Sequence, residues 1–236
     1  MTEIRGVLLD ATGTLIELRR SVGEVYSEAA ARRGVELGAW RVQDGFERVM
    51  RRASARVFPE LSSIDEIAGA EKAWWGDLVR QTFQAVDSTL RFDDAAGLYD
   101  ELFAYYAKAG AWQLREGALD MLDGLEADGV SVGVVSNFDL RLGPLLDEMG
   151  VGPRLACLVL PAHCGARKPD PAIFRAALHA LGLPAESVAL VGDDPDKDLA
   201  GARAVGLHAI DVHSLDSLTD LPRRLRDLAT VSDWSD

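Results

Sequence analysis

Cysteine is nearly absent: Cys157 and Cys164 are the only two in 236 residues. Two thiols with no nearby cluster of His and Cys suit neither a zinc site nor a disulfide scaffold, so reduced, structural thiols in a cytoplasm are expected. No segment reaches the roughly 18 unbroken apolar residues that a membrane span needs. A basic stretch followed by an apolar one is missing near Met1, so a secretory route is not expected. Lysine is scarce beside arginine, and His163, His179, His208 and His213 are scattered without ligand spacing. Positive charge is short overall. The net charge of −13 speaks against general nucleic-acid binding and against anionic membrane surfaces. The same deficit obstructs a phosphate substrate, so a bound cation or local basic residues must reverse the field. Internal repeats and low-complexity segments are also missing.

What is present is a chain long enough for one good core and a modest insertion. Five short apolar runs end in polar or charged residues: Gly6–Asp10, Ser131–Ser136, Leu155–Leu160, Ser187–Asp193 and His208–Val212. Such runs suit strands buried on both faces. Helical patterns separate the later ones, over Glu116–Asp128, Arg141–Met149, Pro171–Leu181 and Asp196–Val205. Gly129, Gly150, Gly182 and Gly206 stand just past their ends, where a left-handed stop is needed. Alternation of this kind predicts an α/β fold, a Rossmann-like parallel sheet with helices on both faces. Residues 21–110 break the pattern. Ser21–Arg33, Trp40–Val57, Ile64–Val86 and Asp93–Ala109 read as helices with no clear strand between them. The expected organisation is therefore a Rossmann-like core (1–20 and 111–236) with an all-helical cap (21–110) inserted after the first strand. The polar tail after Thr230 is expected to fray.

Parallel sheets bind ligands at the carboxyl ends of their strands. Those ends offer Asp10, Ser136 with Asn137, Lys168 in the loop after the third run, and Asp193 with Asp194. Each has a plain reading alone. A strand-end Asp caps helices, Ser136-Asn137 suits a helix start, Lys168 suits a loop, and Asp193, Asp194, Asp196 and Asp198 suit an acidic helix N-terminus. Their joint occurrence at successive strand ends points to one site.

Val7-Leu8-Leu9-Asp10-Ala11-Thr12-Gly13-Thr14-Leu15 resembles the first motif of the haloacid dehalogenase superfamily, usually Asp-x-Asp-Gly-Thr-Leu in its phosphatases. Val-Val-Ser136-Asn137-Phe resembles the second motif, Arg-Lys168-Pro-Asp-Pro the third, and Val-Gly-Asp193-Asp194-Pro-Asp-Lys-Asp198 the acidic fourth. Val22-Gly23-Glu24-Val25-Tyr26, Trp74-Trp75 with Gln81-Thr82-Phe83, Trp112-Gln113 and Ser136-Asn137-Phe138-Asp139 extend the likeness to one group of that superfamily, haloacid dehalogenase-like hydrolase domain-containing protein 3. The resemblance implies a phosphatase or phosphotransferase acting on a small phosphorylated substrate. Asp10 would be the nucleophile and form an aspartyl-phosphate. Mg²⁺ would lie on Asp10, Asp193 and the backbone carbonyl of Thr12, with Asp194 or Asp198 acting through water. Lys168 would offset the charge on Asp10 and the phosphoryl oxygens. Ser136, Asn137 and Thr12 would face substrate, with nearby N–H groups binding the remaining oxygens.

Thr12 departs from the pattern, because the family's second Asp protonates the leaving group and then activates water. A threonine hydroxyl does neither near neutral pH, and such help is worth roughly 10²–10⁴-fold. Three readings follow: a slow phosphatase, a catalytically weak protein that binds phosphate ligands or a partner, and a metal-free 2-haloacid dehalogenase. The acidic trio Asp193, Asp194 and Asp198 counts against the last. Trp74-Trp75 is expected to pack in the cap, Arg19 and Arg20 are either substrate contacts or hinge charges, and Arg51-Arg52 form a solvated face.

Overall fold

The computed structural model describes residues 3–231. The tail expected to fray falls, from residue 232, outside them. The chain divides into two compact units, Met1–Glu17 with Leu114–Asp236, and Leu18–Gln113.

The first unit is built on a five-stranded parallel sheet. Its strands are β1 (Gly6–Leu9), β4 (Ser131–Val135), β5 (Cys157–Val159), β6 (Val188–Gly192) and β7 (His208–Asp211), in the order β5-β4-β1-β6-β7. β1 is central, and Leu9 lies opposite both Val134 of β4 and Val191 of β6. Val7, Leu8, Leu9 and Val188–Val191 are buried, as continuous apolar runs between two helical layers must be. Each valine or leucine among them contributes roughly 1.5–3 kcal/mol of burial. β1, β4 and β6 stop just before Asp10, Ser136 and Asp193. The first two still bond to the neighbouring strand, Asp10 N to Val191 O at 2.9 Å and Ser136 N to Val159 O at 3.1 Å. At the carboxyl end of the sheet the backbone N–H groups of Asp10 and Ser136 are thus paired.

Two further strands, β2 (Ile16–Leu18) and β3 (Trp112–Leu114), form a separate ribbon. The chain leaves and re-enters the first unit along it. Neither was legible, because three residues are too few to show a period.

The second unit carries α1 (Val22–Ala31), α2 (Ala39–Arg52), α3 (Ile64–Val86) and α4 (Ala95–Tyr105). Capping boxes start α1 at Ser21 with Glu24 and α3 at Ser63 with Glu66, each cap typically worth about 1 kcal/mol. Tyr26, Phe83, Leu98 and Leu102 centre the core of this unit. The expected helix Trp40–Val57 stops at Arg52. Beyond it Arg56 is drawn to 8 % exposure, its guanidinium 5.2 and 5.1 Å from the rings of Trp74 and Trp75, while Trp74 Nε1 donates to Ser54 O at 3.2 Å. The chain turns extended at Ala53 to allow this. The expected helix Asp93–Ala109 starts later, because the Asp94 carboxylate accepts from Gly97 N at 2.9 Å and caps α4.

Helices α5 (Ala118–Ala127), α6 (Leu142–Glu148), α7 (Pro161–Cys164), α8 (Pro171–Leu181), α9 (Gly201–Ala204) and α10 (Leu221–Val231) complete the first unit. Gly129, Gly150, Gly182 and Gly206 all have positive φ, as their positions demanded. One correction concerns chemistry. The predicted α-helix Asp196–Val205 opens as a wide π-helical turn, Pro195–Ala200, and is α-helical only from Gly201. The Asp194 side chain accepts from Asp196 N and Lys197 N, while Asp194 N donates to Asp198 Oδ2 at 3.1 Å. The wide turn swings Asp198 inward.

Candidate active site

Asp10 stands at the carboxyl end of the central strand and is 7 % exposed. The chain then folds back at once. Leu15 N and Ile16 N both donate to Ala11 O, at 2.8 and 2.9 Å, and Gly13 N donates to Ile16 O at 2.9 Å. Gly13 adopts φ +90°, and a Cβ there would lie 2.6 Å from Asp193 Oδ2. Only glycine lets this loop approach the second carboxylate. Arg115 Nη1 donates to Gly13 O at 2.8 Å and holds the turn from the other side.

Asp193 follows β6, the neighbour of β1. Asp198 comes from the wide turn and rests against Gly192, where a Cβ would fall 2.5 Å from that of Asp198. One oxygen from each of Asp10, Asp193 and Asp198 lies within 4.8 Å of the others. Lys168 is 2 % exposed. Its Nζ lies 2.5 Å from Asp10 Oδ1 and 2.5 Å from Asp198 Oδ1. Asn137 Oδ1 accepts from Lys168 N at 2.7 Å, and Asn137 Nδ2 donates to Lys168 O at 3.0 Å. Ser136 is buried, and its Oγ accepts from Phe138 N at 3.3 Å. The Thr12 side chain is exposed.

Burial pushes the Asp10 carboxyl up to about 6; the Lys168 ammonium opposes that rise and Asp198 adds to it. Burial also raises Asp193, again with Asp198 adding. Burial alone would lower Lys168, but Asp10 and Asp198 outweigh it and hold the ammonium above its usual range. Asp194 is offset differently. Burial would raise it, yet the Lys197 ammonium and backbone N–H groups hold it low.

Three carboxylates crowded around one point, with one ammonium among them, leave uncompensated negative charge. Hard oxygen donors in this arrangement suit a small divalent cation such as Mg²⁺, so the residues present fit the expected metal.

Several neighbours were not anticipated. Arg115 gave no signal, since a single arginine after a strand has no diagnostic spacing. Asp139 and Arg141 were visible only as part of the Ser-Asn-Phe-Asp-Leu-Arg string. Asp139 is fully buried, with Arg141 Nε and Nη2 donating to its two oxygens at 2.9 and 2.7 Å. Trp74 and Trp75 are half-buried and clamp Arg56. Cys157 and Cys164 are free and half-buried; burial pushes the Cys157 thiol up to about 11 and raises Cys164. Among the described residues no helix is long and apolar enough to cross a membrane.

Comparison with known proteins agrees with this geometry. Residues 4–206 match the family model of haloacid dehalogenase-like hydrolases. Bovine (Bos taurus) haloacid dehalogenase-like hydrolase domain-containing protein 3 is 33 % identical over 208 residues, covering 88 % of this chain and 81 % of the relative. A haloacid dehalogenase-type phosphatase from Thermococcus onnurineus superposes with TM-score 0.63 at 19 % identity, over 94 % of this chain and 97 % of that one. A family hydrolase from Deinococcus radiodurans R1, solved with bound phosphate and sodium, superposes with TM-score 0.60 at 20 % identity, over 89 % and 81 %.

Proposed function

The chain belongs to the haloacid dehalogenase-like hydrolase family, and from that premise we propose that it is a Mg²⁺-dependent phosphatase or phosphotransferase for a small phosphorylated metabolite. One observation carries the reading. Asp10, at the end of the central strand, shares a 4.8 Å cluster with Asp193 and Asp198, and Lys168 bridges Asp10 and Asp198.

In this proposal an Asp10 carboxylate oxygen attacks phosphorus, and the leaving oxygen departs with its electron pair. The resulting aspartyl-phosphate is then cleaved by water, or by an acceptor hydroxyl, and Asp10 returns as the carboxylate. Lys168 draws charge from Asp10 in the resting site and from the phosphoryl oxygens as they gain it. The Ser136 hydroxyl and loop N–H groups bind the oxygens left over. Asp10, Asp193, Asp198 and the Thr12 carbonyl would hold Mg²⁺, which when bound neutralises phosphoryl charge. Thr12 brings no proton, so turnover is slow unless the leaving group is good.

A catalytically weak phosphate-binding protein is the second reading, and Thr12 is the observation that favours it. Dehalogenation suits the site less, because three carboxylates against one ammonium repel a haloacid carboxylate. Hydrolysis of an aryl phosphate such as p-nitrophenyl phosphate tests the proposal. Turnover should require Mg²⁺, stop with a chelator and vanish in Asp10→Asn. Phosphate binding without turnover would favour the binding protein. Haloacid turnover that persists in chelator would overturn the proposal.

A further inference from the structure

The side chain of Asn137 leaves the carboxyl end of β4 and meets one residue twice. Its Oδ1 accepts from Lys168 N at 2.7 Å and its Nδ2 donates to Lys168 O at 3.0 Å. A primary amide laid against a peptide in this way supplies both a donor and an acceptor to one residue, as a neighbouring strand would. It therefore fixes the place and the orientation of the Lys168 backbone.

Lys168 needs such a support. It stands in the loop between α7 and α8, and α7 is a single turn closed by Gly165 at φ +66°. The loop's nearest backbone bond runs from Asp170 N to Arg167 O at 2.8 Å and bypasses Lys168. Asn137 is itself well anchored. Two residues on, the buried Asp139 accepts from the backbone N of Arg141 at 3.1 Å and from its guanidinium. The Arg141 guanidinium also lies 5.9 Å from the ring of Phe138. The Asp139–Arg141 pair thus stands two residues from Asn137, and Asn137 holds Lys168, whose Nζ ends 2.5 Å from both Asp10 and Asp198.

We propose that Asn137 is a positioning residue acting through Lys168: its carboxamide clamps the Lys168 backbone and so holds the ammonium between Asp10 and Asp198. The catalytic consequence rests on Asp10 being the nucleophile; the clamp itself does not. The side chain of Asn137, expected to face substrate, also holds the residue that serves the nucleophile.

Two measurements on the full chain test this. The lysines are Lys72, Lys108, Lys168 and Lys197, so reductive methylation followed by mass spectrometry reads each one. In wild type Lys168 should react at least tenfold more slowly than the other three. Asn137→Ala should raise its rate at least fivefold and leave the others unchanged. Asn137→Asp keeps an acceptor for Lys168 N and should fall between, which separates loss of the clamp from loss of the fold. The second measurement is a double-mutant cycle on aryl phosphate hydrolysis. Asn137→Ala should lower kcat/KM at least tenfold in wild type and less than twofold in Lys168→Met. Equal losses in both backgrounds, or unchanged Lys168 labelling in Asn137→Ala, would overturn the clamp. A wild type that hydrolyses no aryl phosphate would remove the proposed function, while the labelling rates would still decide the clamp.

Discussion

Replacing Lys168→Met isolates the electrostatics of the site. The ammonium is 2 % exposed and lies 2.5 Å from each of two carboxylates. Methionine nearly matches its length, so packing is kept while the charge is lost. Removing one partner of a buried ion pair typically costs about 3–5 kcal/mol, because the other charge stays buried and unpaired. For a unit of this size that corresponds to roughly 10 °C in Tm. The pH dependence gives the sign. Asp10 titrates near 6 in the fold against 3.8 as its ordinary value, so its ionisation costs the fold on the order of 3 kcal/mol. A raised carboxyl favours the folded state at low pH, and that contribution is lost as pH climbs from about 4 to about 6. Without Lys168 the Asp10 carboxyl rises further, so the loss deepens and extends to higher pH. The variant's deficit should therefore be larger at pH 8 than at pH 5, where Asp10 is protonated in both proteins and the lost contact is the one with Asp198. Unfolding in chelator at pH 5, 6.5 and 8 measures it. A deficit that is equal at pH 5 and pH 8, or below about 1 kcal/mol at pH 8, would refute the reasoning.

Other perturbations probe separate parts of the account. Gly13→Ala places a Cβ 2.6 Å from Asp193 Oδ2 at φ +90°; the backbone alone costs about 1–2 kcal/mol, and displacement of Asp193 should weaken Mg²⁺ binding at least tenfold by calorimetry, whereas unchanged affinity would remove Asp193 from the metal set. Thr12→Asp should raise kcat for alkyl phosphates by roughly 10²–10⁴ and for aryl phosphates much less; equal effects on both, measured by phosphate release, would mean that proton delivery is not what Thr12 fails to supply. Arg56→Ala empties the space against Trp74 and Trp75 and should lower stability by about 2 kcal/mol, with tryptophan fluorescence shifted to the red; an unchanged denaturation midpoint would show that the pair is ornamental.

Much of this molecule was legible because short-range chemistry wrote it. The helix expected over Ile64–Val86 has those bounds as α3, and Gly129, Gly150, Gly182 and Gly206 mark helix ends. Apolar runs ending in Asp10, Ser136 and Asp193 predicted strands whose carboxyl ends gather those residues. What escaped depends on contacts between residues distant in sequence. The early end of α2 comes from the pull of Trp74 and Trp75 on Arg56. The wide turn at Pro195–Ala200 comes from the partners of Asp194 and Asp198, which periodicity cannot register. The bond between Asn137 and Lys168 joins residues 31 apart in sequence, and a strand-end position alone does not signal it. Gly13 stood only as part of the first motif, and its role in making room for Asp193 appears only once β1 and β6 are side by side.

The central claim is that Asp10 is the phosphorylated nucleophile of a cation-dependent site. Crystals grown with Mg²⁺ and beryllium fluoride test it most directly, since the trifluoride mimics a phosphoryl group on a carboxylate. The account predicts a tetrahedral adduct on an Asp10 oxygen, with Lys168 and Ser136 against its fluorides and the cation among Asp10, Asp193 and Asp198. An unmodified Asp10 in crystals of protein that hydrolyses aryl phosphate in the same buffer would contradict it.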